Sequence, residues 1–250
     1  MFSLAALTAG FISAGAHGWT AGVTLALGIS GVLGSAAFVL VERTVRRPLI
    51  DPDVFRDKAF STVVAIGFIF NFCLYGSIFC LAVGLSRLRG LDALDTGLAL
   101  LPMTVVTAAM ALSAGRLVPR LGEWPVVAAG LTSGAVGATL VALNGSQSHL
   151  ALLLLSTVPI GVTALAMPAM AGLAMASGPS FRHGLSAGVF NASRQAGGAL
   201  GVAVLGTLLT SGSLRRPFLL TAGAYGLAVA LATAECSKRH KSQQAMQPVA

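Results

Sequence analysis

Few groups in this chain could do chemistry inside an apolar environment, and the strongest set is Asn191, Arg194 and Gln195. Their i, i+3, i+4 spacing would put all three on one face of a helix. A guanidinium flanked by amides can hydrogen-bond a polar ligand or a neighbouring helix, but it cannot carry a proton because it does not lose its own. At the centre of a bilayer an arginine costs about 2.5–3.5 kcal/mol on insertion scales. Two readings are therefore open: Arg194 faces a cavity or a partner helix and acts in gating, or it lies near a membrane surface, snorkels outward and fixes helix depth. A second set is Asn71 and Tyr75, which share a helical face with Phe68, Phe72 and Phe79. Met167 joins Thr163 and Met170 in another run. Such surfaces suit a pocket for varied hydrophobic or cationic molecules, since methionine adapts its shape and rings attract cations; each residue would serve equally as core packing.

Other chemistry is excluded. His17, His149, His183 and His240 are scattered through polar joints and the tail, which gives no metal site. Cys73 and Cys80 would lie roughly 10 Å apart along one helix, too far to bridge, and Cys236 stands alone. No nucleophile, base and orienting group cluster in the pattern a catalyst needs, so neither an enzyme nor a cofactor is expected.

The elements that must position these residues follow from composition. The 250 residues are 55% hydrophobic and 10% charged, against about 25% charged in an ordinary soluble domain. Eight apolar runs emerge: Phe2–Gly15, Ala21–Val41, Ala59–Leu85, Thr96–Ala114, Trp124–Leu143, Leu150–Ala176, Ser186–Leu209 and Pro217–Ala234. A bilayer core about 30 Å thick needs roughly 20 apolar residues per helix, and runs this long argue helices rather than barrel strands. The fold class is an all-α, polytopic helical membrane protein. The first run would reach only about 21 Å as a helix, so a longer first span beginning before Met1 is expected. As bounded here, the runs contain no Asp, Glu, Lys or His.

The net charge of +8 resides in the joints and not along one face, which argues against nucleic acid. Eleven Lys and Arg fall in the joints on one side, including 43–58 and the tail, against four on the other (Arg87, Arg89, Arg215, Arg216). The positive-inside rule puts the C terminus in the cytoplasm. Gly130 with Gly134, and Gly197 with Gly201, form GxxxG pairs, and Gly198 extends the second stripe; tight helix packing is expected of them, with a dimer face as the alternative. Pro102, Pro159 and Pro168 predict bends.

Three stretches resemble the C-terminal portion of the 14-span drug:proton antiporters of the major facilitator superfamily, the EmrB/QacA type. The first runs from His17-Gly-Trp19 through Val41-Glu-Arg43 and Arg47-Pro-Leu-Ile-Asp51 to Ala59-Phe60. The second runs from Gly97-Leu-Ala-Leu-Leu-Pro102 to Gly115-Arg-Leu-Val-Pro-Arg120-Leu-Gly122, a loop similar to the superfamily's cytoplasmic GxLaDrxG gating motif with Pro119 in place of its acid. The third joins Gly184-Leu-Ser-Ala-Gly188 and Asn191 to Arg194-Gln195-Ala-Gly-Gly198-Ala-Leu-Gly201.

The resemblance implies two linker helices over 1–42, the first truncated, a cytoplasmic joint over 43–58, the C-terminal six-helix bundle over 59–235 and a cytoplasmic basic tail over 236–250. It implies multidrug or small-molecule efflux by proton antiport across a bacterial cytoplasmic membrane, with the coupling acids in an N-terminal half that this sequence lacks. Asn71, Tyr75, Met167, Asn191, Arg194 and Gln195 would then line the substrate cavity or its gate, and Gly115, Arg120 and Gly122 the gating-like loop. Carriers of this type hold substrate between two pseudo-symmetric halves. The partner of this half is the missing N-terminal half or a second copy of the chain acting as a facilitator; a non-transporting membrane subunit or remnant is the further alternative.

Overall fold

The computed structural model describes residues 57–145, 149–177, 183–209 and 212–245, with scattered helical positions between 22 and 40. The run Phe2–Gly15, most of Ala21–Val41, the joint up to residue 56 and the last five residues lie outside the described residues. Every regular element among the described residues is a helix.

The first two helices begin and end where the sequence supplies a cap. The first, α1, spans Lys58–Arg89; the Asp57 carboxylate accepts from the backbone N–H of Ala59 at 2.7 Å, and Gly90 closes the helix at φ +68°. Arg87 and Arg89 in its last turn complement the helix dipole. Asp92 caps α2, Ala93–Leu121, by accepting from Asp95 N–H at 2.7 Å. Gly122 alone joins α2 to α3, Glu123–Asn144, at φ +85°, a conformation in which a Cβ would be strained.

The apolar run starting at Leu150 breaks in its middle, as Pro159 and Pro168 predict. It forms α4, Leu150–Val162, a 3₁₀ turn over Thr163–Leu165, and α5, Ala166–Ser177. At the break the Thr163 N–H reaches back to Ile160 and leaves the Pro159 carbonyl free. Ser133 of α3 donates its hydroxyl to that carbonyl at 2.9 Å, so the bend is satisfied by a neighbouring helix. Pro102 and Pro119 lie inside α2 without ending it.

Two longer helices complete the set: α6, His183–Leu209, and α7, Arg215–Ala245. The last helix runs past Ala234, where the apolar run was bounded, and the expectation that no acid lies within a span is corrected there. Glu235 is buried inside the membrane-length stretch Arg215–Lys238. Lys238, one turn further on, donates to its carboxylate at 3.0 Å, which offsets the cost of burying the charge.

Among the described residues five stretches are long and apolar enough to cross a bilayer: Lys58–Arg89, Ala93–Leu121, Glu123–Asn144, Leu150–Ser177 and Arg215–Lys238. The polar α6 is not among them, and the fold gives it protein to lie on: α1 packs most extensively against α6, and α3 against α7. Glycines make the first seam. A Cβ on Gly197 would strike the Phe68 carbonyl, and one on Gly201 the Phe72 carbonyl, so the two backbones touch without side chains between them. Gly130 and Gly134 of α3 receive the bend, the first against Ala166 and the second against Thr163 and the buried ring of Tyr225.

An open polar face on α1, α5 and α6

The seam between α1 and α6 fixes the height and direction of Arg194. Ser193 donates to the Val64 carbonyl at 3.1 Å, and the aliphatic stem of Arg194 lies against Gly67, which has no side chain to displace it. Arg194 is 11 residues from the start of α6 and 15 from its end, roughly 16 and 22 Å along the axis. Its guanidinium therefore stands at mid-helix depth and reaches α1 and α5 as well as the preceding turn of α6.

Four polar or polarisable partners meet it there. Arg194 Nε donates to Asn71 Oδ1 of α1 at 3.3 Å, Nη1 to Asn191 Oδ1 at 3.5 Å, and Nη2 points to the Met167 sulfur of α5 at 3.5 Å. The Phe190 ring lies under the guanidinium, 5.6 Å from its carbon to the ring centroid, within the range of cation–π attraction. Asn71 is 2% exposed and is held to this one task, while Arg194 is half-buried and Asn191 exposed.

Tyr75, one turn beyond Asn71, lays its ring over Gly198 and is 46% exposed; Phe79 continues the same stripe against Gly206. Met167 is 40% exposed. Gln195 is exposed on the same side and makes no hydrogen bond to the cluster among the described residues. The structure thus gathers Asn71, Met167, Asn191 and Arg194 into one contact set, flanks it with Tyr75, and leaves Gln195 beside it. Phe190 and Gly67 were not singled out in the sequence; a ring four residues before an arginine on a helix was the available signal for the first.

The other candidates sit elsewhere. The expected gating-like loop is corrected: Gly115 and Arg120 lie within α2, the first facing open space and the second exposed, and only Gly122, at the α2–α3 turn, is demanded by backbone geometry. Gly197, Gly198 and Gly201 lie between α1 and α6, and Gly130 and Gly134 under the α4–α5 bend. Among the described residues no three His, Cys, Asp or Glu gather as a metal site.

The family model described as Major Facilitator Superfamily matches residues 1–202 and, in a second overlapping placement, 64–248. The chain is similar to the Methylenomycin A resistance protein of Streptomyces coelicolor, 30% identical over 84% of this chain and 45% of that protein. It is similar to the Multidrug resistance protein Stp of Mycobacterium tuberculosis, 31% identical over 78% of this chain and 36% of that protein. It is also similar to the Puromycin resistance protein pur8 of Streptomyces alboniger, 32% identical over 77% of this chain and 39% of that protein. The chain spans less than half the length of these three relatives.

Proposed function

The chain belongs to the major facilitator superfamily, and from that premise we propose that it works as the C-terminal half of a 14-span drug-efflux carrier of the EmrB/QacA type. It is a multi-pass membrane transporter and not an enzyme. The observation that carries the proposal is the Arg194 cluster: a charged, amide-rich and aromatic patch at mid-helix depth on an open face, which would be costly against lipid. A complementary half set against α1, α5 and α6 would convert that face into a closed cavity.

In this reading residues 1–42 supply two linker helices, 59–235 the bundle, and 236–250 a basic tail that lies, with the C terminus, on the cytoplasmic side of a bacterial cell membrane. Proton antiport would draw its titrating acid from the other half, since the guanidinium cannot release a proton and Glu235, the acid buried in α7, is held in its pair with Lys238. Tyr75, Phe79 and Met167 favour hydrophobic, drug-like substrates. Gly122 holds the cytoplasmic α2–α3 turn, beside which Arg120 acts in gating.

The test is dye accumulation in cells that make the protein from its own locus. Cells with the protein are expected to retain less Nile red than cells lacking it, and Arg194→Ala is expected to remove most of the difference while the protein stays in the membrane. Equal retention with and without the protein would contradict efflux.

A further inference from the structure

The charge of the substrate is written into the same cluster. Among the described residues no carboxylate lies within ion-pairing distance of Arg194; the partners it has are Asn71 Oδ1, Asn191 Oδ1, the Met167 sulfur and the Phe190 ring. A guanidinium carries five N–H donors, and of the three directed contacts two are at 3.5 Å, one of them to a thioether, which is a weak acceptor. The inner edge of the group is secured on buried Asn71, while its outer fork, Nη1 and Nη2, faces the open side with capacity to spare.

Among the described residues this charge is uncompensated. The described carboxylates are engaged elsewhere: Asp57 caps α1, Asp92 and Asp95 open α2, Glu123 opens α3, and Glu235, within α7, is paired with Lys238. A cation at mid-helix depth with no counter-charge raises a positive potential across the face, and in a water-poor cavity that potential is little screened. A second cation entering beside it would be repelled. A carboxylate or other planar oxyanion would find two parallel N–H groups, the bidentate geometry in which arginine binds such groups best.

Resting on the carrier reading above, we propose that this face selects amphipathic anions, above all carboxylates. The oxyanion would sit on Arg194 Nη1 and Nη2 in place of the weak Asn191 and Met167 contacts, and the apolar body of the molecule would lie along Tyr75 and Phe79. This revises the expectation of cationic substrates: the exposed rings suit apolar bodies, but the nearest fixed charge is positive.

The test is binding, so that it does not depend on transport. The protein would be purified through a C-terminal tag from its native locus, with whatever segment or partner accompanies it, and titrated with two xanthene dyes of similar skeleton and opposite charge, fluorescein and rhodamine 123. Fluorescein is expected to bind more tightly. Arg194→Gln is expected to weaken fluorescein about tenfold or more, the loss of a charge-assisted bond, and to strengthen rhodamine 123. Arg194→Lys should retain most of the preference for the anion, and unchanged elution on size exclusion would show both variants folded. Tighter rhodamine binding by the wild type, a preference untouched by Arg194→Gln, or no fluorescein binding would overturn the proposal; the last, with Arg194→Gln lowering the melting temperature, would mean that Arg194 is already paired with an acid of the complementary half. Anion binding without efflux of either dye would overturn the carrier reading and leave this inference standing.

Discussion

Both α2 and α6 leave much of their surface outside the bundle, yet their outward faces differ in kind. On α2 only Thr96, Ala99, Met103 and Ala114 are buried, and the exposed large side chains are Leu94, Leu98, Leu101, Val105, Leu112 and Leu121. On α6 the exposed polar side chains at similar depth are Asn191 and Gln195, with Arg194 half-buried between them. In a water-soluble protein the first would be an adhesive liability and the second an ordinary surface. In a membrane the meanings reverse: the apolar face is at rest against lipid or an apolar partner, and the polar one needs water, ligand or a polar partner.

That contrast can be broken by substitution, and the largest effect should come from the seam that holds the polar face in place. Gly201→Leu would drive a side chain into the Phe72 backbone, which cannot move aside. It is expected to destabilise the protein by more than about 3 kcal/mol and to remove the monodisperse peak of tagged protein on size exclusion, whereas Gly115→Leu, in open space on α2, leaves it. Next comes the contrast itself. Val105→Asp should cost about 2.5–3.5 kcal/mol if its face meets apolar surroundings, seen as a drop in membrane-inserted protein; Gln195→Asp should cost much less.

Smaller again is Arg194→Ala, expected to lower dye efflux about tenfold, or about 1.4 kcal/mol, with the protein level maintained. Ser133→Ala belongs to neither face and sets the scale of an internal contact. It leaves the Pro159 carbonyl unpaired and should cost about 1 kcal/mol, a shift of a few degrees in the melting temperature.

Helix positions were legible from apolar runs because lipid forces every backbone group to be satisfied within its own segment. The bend between α4 and α5 was legible because Pro159 cannot donate. Helix ends were less so: α7 continues through Glu235 because Lys238, a turn later, pays the charge's cost, and a count of apolar residues cannot register that compensation. At the site, the Asn191, Arg194 and Gln195 patch was readable from spacing along one helix. The pairing of Arg194 with Asn71, 123 residues away, was not. It depends on how closely α1 and α6 approach, which Gly67, Gly197 and Gly201 permit only jointly. What spacing along one helix also could not supply is the reach of the guanidinium to α1 and α5 as well as to the preceding turn of α6.

The most direct test asks whether water reaches one face and not the other. Gln195→Cys and Val105→Cys would each be placed in a protein freed of Cys73, Cys80 and Cys236, then exposed in native membranes to a methanethiosulfonate reagent that reacts with water-bathed thiolates. Each position lies 12 residues from the start of its helix, about 18 Å deep, so depth does not separate them. Rapid modification at position 195 and none at 105 is the result expected of a cavity-lining face. An inert thiol at 195, or equal rates at the two positions, would contradict it.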